Sequence, residues 1–281
     1  MDYFLKAKKF QAKKRLGQNF LVDQNILETI VDSVDPKTDE TIIEIGPGLG
    51  FLTELIAQKA KEVIAIEIDK AAIKEIHKLN YTNIRVIEKD ILKTQLSELV
   101  DKPVKIVANL PYYITTPILV HLIGDVDETE KENRKLISEM TIMVQKEVGD
   151  RLVATEKSAN KAWSSLSILT NYWSIPEIVT DVKNTSFYPK PKVHSSVLRL
   201  EVREKPAVNV QTPLYLRRVV RSAFQYRRKK LVNALENSGF KKEIILESLD
   251  KASLDLNTRG EKLSLEDFAK LSDELYQKKN L

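Results

Sequence analysis

The chain has 281 residues, 42% hydrophobic and 30% charged, which excludes wholesale disorder and leaves room for one large or two unequal domains. It contains no cysteine, so disulfides, thiolate nucleophiles and cysteine-ligated metal sites are excluded, and His77, His121 and His194 are too far apart to form a ligand-spaced pair. The net charge of +5 is uneven: residues 1–15 carry +5, residues 16–204 carry −6 and residues 205–281 carry +6. No apolar run approaches the roughly 20 residues of a membrane span, and no apolar stretch follows the basic N-terminus as a secretory signal requires. The expectation is a cytoplasmic protein without a metal.

Asp23 is placed to cap a helix through Val34, with Ile26, Leu27, Ile30, Val31 and Val34 on one face. Thr41–Ile45 reads as a buried strand and runs into Gly46-Pro47-Gly48-Leu49-Gly50. A helix follows, with Leu52, Leu55, Ile56 and Lys59 at helical spacing. Next come a strand at Val63–Glu67, a helix at Lys70–Leu79, and strands at Ile84–Glu88 and Val104–Ala108. Thr116-Pro117 opens a helix through Ile123. The charged segment Asp125–Arg134 reads as an exposed loop. Beyond it lie a strand at Ile137–Val144, a helix at Ser164–Tyr172, and paired strands at Ile178–Val182 and Val193–Val202. Strands alternating with helices predict a doubly wound, Rossmann-like α/β sheet. From Pro213 to Tyr276 only helical periodicity is present, with Leu216, Val220, Phe224, Leu231 and Leu235 on one stripe and Leu265, Phe268, Ala269, Leu271 and Leu275 on another. The predicted division is residues 1–205, beginning with a basic segment 1–22, and a small all-helical domain 206–281.

Gly46, Gly48 and Gly50 lie between a strand and a helix, where glycine permits positive φ and close approach of a ligand to the backbone. Glu67 ends the next strand, at a distance that suits an acid binding ribose hydroxyls. The loop spacing is G-x-G-x-G, with Phe51 where a dinucleotide fingerprint has its third glycine. Glu44, beside the loop, favours S-adenosylmethionine, whose methionine end is cationic. Asp90, just past the third strand, is placed to accept from an adenine amine.

Asn109-Leu110-Pro111-Tyr112 follows a strand, at the end of an open α/β sheet where ligands bind. Methylation of an exocyclic amine calls for this motif. The N6 lone pair of adenine is delocalised into the ring. The Asn109 oxygen and the Leu110 carbonyl, with Pro111 fixing the backbone, can together favour a pyramidal nitrogen. Tyr112 offers a face for the base. No strong general base is required, because the departing thioether is neutral and the proton can pass to water. In Ser186-Phe187-Tyr188-Pro189-Lys190-Pro191-Lys192-Val193 the prolines stiffen a loop that can present Phe187 to an extruded base, with Lys190 and Lys192 on phosphates; the plainer reading puts Phe187 in the core. The two basic ends predict an electrostatic footprint for polyphosphate. Its candidates are Lys14, Arg15, Arg227, Lys229 and a row formed by Arg217, Arg221 and Arg228.

These motifs resemble those of the ribosomal RNA adenine N6-dimethyltransferases, and the likeness covers nearly the whole chain. It rests on Lys14–Leu21, Glu44–Gly50, Asn109–Tyr112, Gln145–Val148, Phe187–Val193 and Phe224–Leu231. The resemblance implies that Asn19 and Leu21 close over the cofactor, that Gly46 underlies its methionine part, and that Glu67 and Asp90 take its ribose and adenine. It also implies that Asn109 lies between methyl donor and target amine, on two adjacent adenosines of small-subunit rRNA; separately, a monomer is expected. The chain departs from the family at His194, where Asp or Asn is more usual, and at Gly149 and Gly260, where alanine is usual. The alternatives are a macrolide-resistance type acting on large-subunit rRNA, disfavoured by the Arg259–Phe268 tail, a non-catalytic ribosome-assembly factor, and an NAD-dependent oxidoreductase, disfavoured by Phe51.

Overall fold

A computed structural model describes residues 2–158 and 162–278. In chain order the elements are α1 (Tyr3–Lys9), β1 (Phe20–Leu21), α2 (Gln24–Val34), β2 (Thr41–Ile45), α3 (Phe51–Ala57), β3 (Glu62–Glu67), α4 (Lys70–His77), β4 (Ile84–Glu88), β5 (Val104–Asn109) and α5 (Thr115–Ile123). They continue with α6 (Glu132–Lys135), β6 (Ile137–Gln145), α7 (Lys146–Leu152), α8 (Ser165–Trp173), β7 (Ser174–Val182), β8 (Phe187–Tyr188) and β9 (Ser195–Val202). The last helices are α9 (Pro213–Gln225), α10 (Leu231–Glu236), α11 (Lys242–Lys251) and α12 (Leu265–Gln277). No helix among the described residues is long and apolar enough to cross a membrane.

Seven strands form one sheet in the order β4-β3-β2-β5-β6-β9-β7. The strands from β2 to β6 pair in parallel, and β9 runs antiparallel to β6. The Rossmann-like expectation holds. β2 and β3 are almost wholly buried, as parallel strands covered on both faces must be. The order reverses between β2 and β5, so the crevice at their C-terminal ends is the ligand position such sheets provide.

By contacts the chain divides into two units. The first comprises residues 1–123, 132–149 and 176–202; the second comprises 124–131, 150–175 and 203–281. The sequence reading draws one boundary, at 205/206, whereas the contacts also place 124–131 and 150–175 with the terminal helices. Within the second unit Trp163 Nε1 donates to the Leu263 carbonyl at 2.9 Å, and Phe224 packs on Phe268 with ring centroids 5.8 Å apart.

Four local expectations are corrected. Asp23 sits at the N-cap of α2 but makes no side-chain cap; its Oδ2 accepts from Ser186 Oγ at 2.8 Å. The segment 125–134 is not wholly exposed. Asn133 and Arg134 are buried, Asn133 Oδ1 accepts from Leu96 N at 2.9 Å, and Arg134 donates to the Ile123 carbonyl at 2.8 Å. The stripe from Leu216 to Leu235 is not one helix: α9 stops at Gln225, Tyr226 leaves helical geometry, and α10 starts at Leu231. The N-terminal segment, read only as basic, contains α1 and β1, and β1 pairs antiparallel with β8.

Two of the expected departures, His194 and Gly260, sit in defined contacts. His194 Nδ1 accepts from Asn184 N at 3.1 Å, an acceptor's task that Asp or Asn also performs. A Cβ on Gly260 would stand 2.6 Å from the Ala223 Cβ, a contact with no flexible end to yield. Gly260→Ala is therefore expected to lower stability by about 1–3 kcal/mol, as overpacking does. Urea unfolding should show a lowered midpoint with an unchanged slope.

Candidate active site

One cavity of about 300 Å³ opens at the C-terminal ends of β2, β3 and β5. Asn19, Gly46, Gly48, Glu67, Asp90, Asn109, Leu110, Pro111 and Tyr112 all line it. The loop after β2 gives it shape. Gly46, Gly48 and Gly50 have φ of +67°, +57° and +76°, which only glycine adopts without strain. A Cβ on Gly46 would meet nothing within 4 Å, so its backbone faces open space.

Glu67 holds this loop. Its Oε2 accepts from Gly48 N at 3.1 Å, and its Oε1 accepts from Ile68 N and Asp69 N, each at 2.8 Å. Burial raises the Glu67 carboxyl above its ordinary range, and the three N–H bonds oppose that. Asp69 in turn accepts from Lys13 Nζ at 2.6 Å and from Gln18 Nε2 at 2.7 Å. Burial pushes Asp69 up, but these partners outweigh it and hold the carboxyl below its usual value.

Asn109 Nδ2 donates to the Asn19 carbonyl at 3.2 Å. Only the NH₂ can face a carbonyl oxygen, so the amide orientation is fixed. The Asn109 Oδ1 and Leu110 carbonyl oxygens accept no hydrogen bond among the described residues. The Tyr112 hydroxyl and Ser195 Oγ are 2.8 Å apart, which anchors a half-buried ring. Asp90 caps a short turn through Oδ1, which accepts from Leu92 N at 3.0 Å.

A family model for ribosomal RNA adenine dimethylase matches residues 9–277. The chain belongs to the ribosomal RNA adenine dimethylase family. Among curated relatives, the ribosomal RNA small subunit methyltransferase A of Alkaliphilus metalliredigens is 44% identical over 95% of this chain and 93% of its own length. The protein of the same name from Streptococcus gordonii is 43% identical over 95% and 92%. Among solved structures, a dimethyladenosine transferase from Plasmodium falciparum superposes with a TM-score of 0.70 at 28% identity, covering 89% of this chain and 94% of that one. A 23S rRNA methyltransferase reaches 0.69 at 25% identity, covering 92% and 100%.

S-adenosylmethionine is the methyl donor in this dimethylase family. The cavity fits it: the Gly46 cradle is open, Ile45, Ile66, Ile68 and Ile91 supply apolar walls, and Glu67 and Asp90 supply acceptors.

Several expected site residues of this dimethylase lie elsewhere. Leu21 and Phe187 do not line the cavity. They are register partners in the β1–β8 pair and both are buried, 6% and 3% exposed. Phe187 is thus withdrawn from the role of a presented stacking face, because the pairing that closes β1 onto β8 puts its ring in the core. Arg15, Lys190, Lys192, Arg221, Arg228 and Lys229 are exposed, while the Lys14 side chain lies outside the described residues. Arg217 is committed to Asp125 at 2.7 Å and Asp127 at 2.9 Å, and Arg227 to Glu261 at 2.9 Å. Arg217, Arg221 and Arg228 do not form one row, since Arg228 lies beyond the end of α9. No local pattern in the sequence marks the contacts of Lys13 and Gln18, whose partner Asp69 is remote, or the place of Thr141, which strand register puts on the Glu44 face.

Glu44 faces away from the large cavity. It lines a smaller one of about 40 Å³ with Phe20, Asn109 and Thr141. Its register partner is Val107, whose partner on the other side is Thr141, so all three share one sheet face. Among the described residues Glu44 Oε2 and Thr141 Oγ1 are buried without a hydrogen-bond partner. Burial pushes the Glu44 carboxyl up from 4.5 to about 8; the Thr53 hydroxyl opposes the rise and the Glu67 charge adds to it. The expected anion at the cofactor is thus a neutral acid near neutral pH. A carboxyl raised in the folded state stabilises below its unfolded value of 4.5, and that stability is lost as pH climbs through about 8. The unliganded protein is expected to lose on the order of 4 kcal/mol across this window, and Glu44→Gln should flatten the loss. Denaturant titrations at a series of pH values measure it; parallel curves for the two proteins would contradict it.

Proposed function

We propose that this protein is an rRNA adenine N6-dimethyltransferase that places two methyl groups on each of two adjacent adenosines in the hairpin loop near the 3′ end of small-subunit rRNA. The observation that carries this reading is a shared wall: Glu67 and Asp90, suited to a nucleoside, line the same cavity as Asn109-Leu110-Pro111-Tyr112. Bound S-adenosylmethionine supplies an electrophilic methyl group on a sulfonium. Glu67 and Asp90 hold its ribose and adenine, and Gly46 lies under its methionine part. The free Asn109 Oδ1 and Leu110 carbonyl accept from the N6 amine and draw its lone pair out of the ring. The Tyr112 ring, pinned through its hydroxyl, bears on the base.

The high identity to small-subunit enzymes supports that substrate over large-subunit rRNA, which the 23S rRNA methyltransferase neighbour keeps as the second reading. The protein acts as a cytoplasmic monomer, with 206–281 as an RNA-binding domain. Transfer of labelled methyl groups to small-subunit particles lacking the modification, with mapping of the modified nucleotides, tests the proposal. Transfer only to large-subunit rRNA would select the second reading.

Asn109→Ala is expected to lower single-turnover methyl transfer by roughly 10²–10³, the cost of one preorganised polar contact, with RNA binding little changed. Near-normal turnover would contradict its role.

Arg221 and Arg228 are exposed and have no acidic partner among the described residues. Reversing both to Glu is expected to flatten the dependence of log K on log salt by up to about two phosphates' worth, leaving S-adenosylhomocysteine affinity unchanged. Reversing Arg217 should instead lower thermal stability, since it would leave Asp125 and Asp127 facing a like charge.

A further inference from the structure

Three aromatic side chains line the large cavity: Phe20, Tyr112 and Tyr113. Phe20 is buried, and Tyr112 is half-buried with its hydroxyl on Ser195. Phe187, the other aromatic with a claim on a base, is inside the core. Tyr113 alone among the described lining aromatics is open to solvent, 60% exposed, which places it at the cavity mouth.

The ring is seated as well as exposed. A Cβ on Gly17 would stand 3.1 Å from Tyr113 Cε1 and 3.4 Å from Cδ1, and 3.6 Å from the Pro111 Cβ. Gly17 has φ +63°, a conformation natural to glycine. The Tyr113 ring therefore rests on bare backbone of the N-terminal segment, one residue beyond the Tyr112 that faces the target base. Among the described residues no other aromatic ring packs on it.

We propose that Tyr113 is a stacking platform for the nucleotide adjacent to the adenosine being methylated. The inference rests on the proposed function. When one adenosine enters the cavity, its neighbour stays tethered at the mouth by a single phosphodiester and has lost a stacking partner. An exposed aromatic face replaces that partner, and such stacking tolerates any base because every base has a π-face. RNA has a direction, so the second target adenosine lies 3′ of the occupied cavity in one round and 5′ of it in the other; the platform takes whichever base stands on its side.

The test uses the full-length protein and unmethylated small-subunit particles, with S-adenosylmethionine saturating. Tyr113→Ala is expected to raise KM for the particles roughly 5- to 150-fold, the range for losing one base–aromatic stack. Its calorimetric affinity for S-adenosylhomocysteine and its melting temperature should match wild type. Tyr113→Phe and Tyr113→Trp, which keep a ring face, should restore KM to near the wild-type value. A wild-type KM in the alanine variant overturns the inference, as does a phenylalanine variant as impaired as alanine, which would assign the effect to the hydroxyl. A parallel loss of S-adenosylhomocysteine affinity would make Tyr113 a support for the cofactor wall and also overturn it. If wild type transfers no methyl groups to the particles, the proposed function fails and this inference with it. A KM unaffected by alanine in an active enzyme fails the inference alone.

Discussion

The Glu67 carboxylate is the contact on which the rest of the cavity depends. A glycine loop that turns between strand and helix leaves backbone donors to be satisfied, and unpaired buried donors are costly. The end of β3 satisfies them: the Ile66 carbonyl takes Gly46 N at 2.9 Å, and Glu67 takes Gly48 N. The other Glu67 oxygen takes Asp69 N, and Asp69 gathers Lys13 and Gln18. Gln18 precedes Asn19, whose carbonyl holds the Asn109 amide. Polar contacts joined through the Gln18–Asn19 backbone therefore run from Glu67 to the Asn109 amide. Pinning these groups in advance removes the reorganisation they would otherwise undergo during the reaction.

The same set explains why segment charge is a poor map of the RNA-binding surface. Residues 1–15 carry +5, yet Lys13 neutralises Asp69, and Lys6 donates to the Leu49 carbonyl and lies 5.3 Å from the Phe51 ring centroid. Burial lowers the Lys6 ammonium below its usual value. Tyr3 packs on Phe51 with centroids 4.7 Å apart. These side chains fasten the N-terminal segment over the glycine loop. In the tail, Arg217 and Arg227 are likewise held by carboxylates. Of the basic residues expected on phosphate, Arg15, Lys190 and Lys192 are exposed in the first unit, and Arg221, Arg228 and Lys229 in the second.

What the sequence made legible follows from the range of the signal. The strands Thr41–Ile45 and Ile84–Glu88 coincide with their predicted spans, because a β-branched run between turn residues is a local signal. Gly46, Glu67, Asp90 and Asn109 could be placed because strand ends in a parallel sheet converge on one crevice. The two-residue pairing of β1 with β8 could not be read, since it joins residues more than 160 apart through backbone alone, and it decides the burial of Leu21 and Phe187. Arg217 looked like a phosphate ligand because its row on α9 is free of acids; its partners, Asp125 and Asp127, come from a distant segment. Glu44 was misplaced by a rule of alternation: Ile45 faces the large cavity, so its neighbour in the strand faces the other side.

Two free acceptors at the end of β5 bear on why one site can methylate the same nitrogen twice. An unmodified N6 amine has two N–H donors, which in the proposed arrangement go one to Asn109 Oδ1 and one to the Leu110 carbonyl. After the first transfer a single N–H remains, so one acceptor must go unpaired in the second round. Asn109 Oδ1 cannot leave by rotating its amide, because that would set its oxygen against the Asn19 carbonyl and forfeit the 3.2 Å bond. The carbonyl of Leu110 is backbone, fixed before Pro111, and equally immobile. The nitrogen itself then has to turn, presenting its remaining N–H to one fixed acceptor while the first methyl passes the other. On the proposed roles of Asn109 and Leu110, two rigid acceptors leave the nitrogen one fixed partner in the second round.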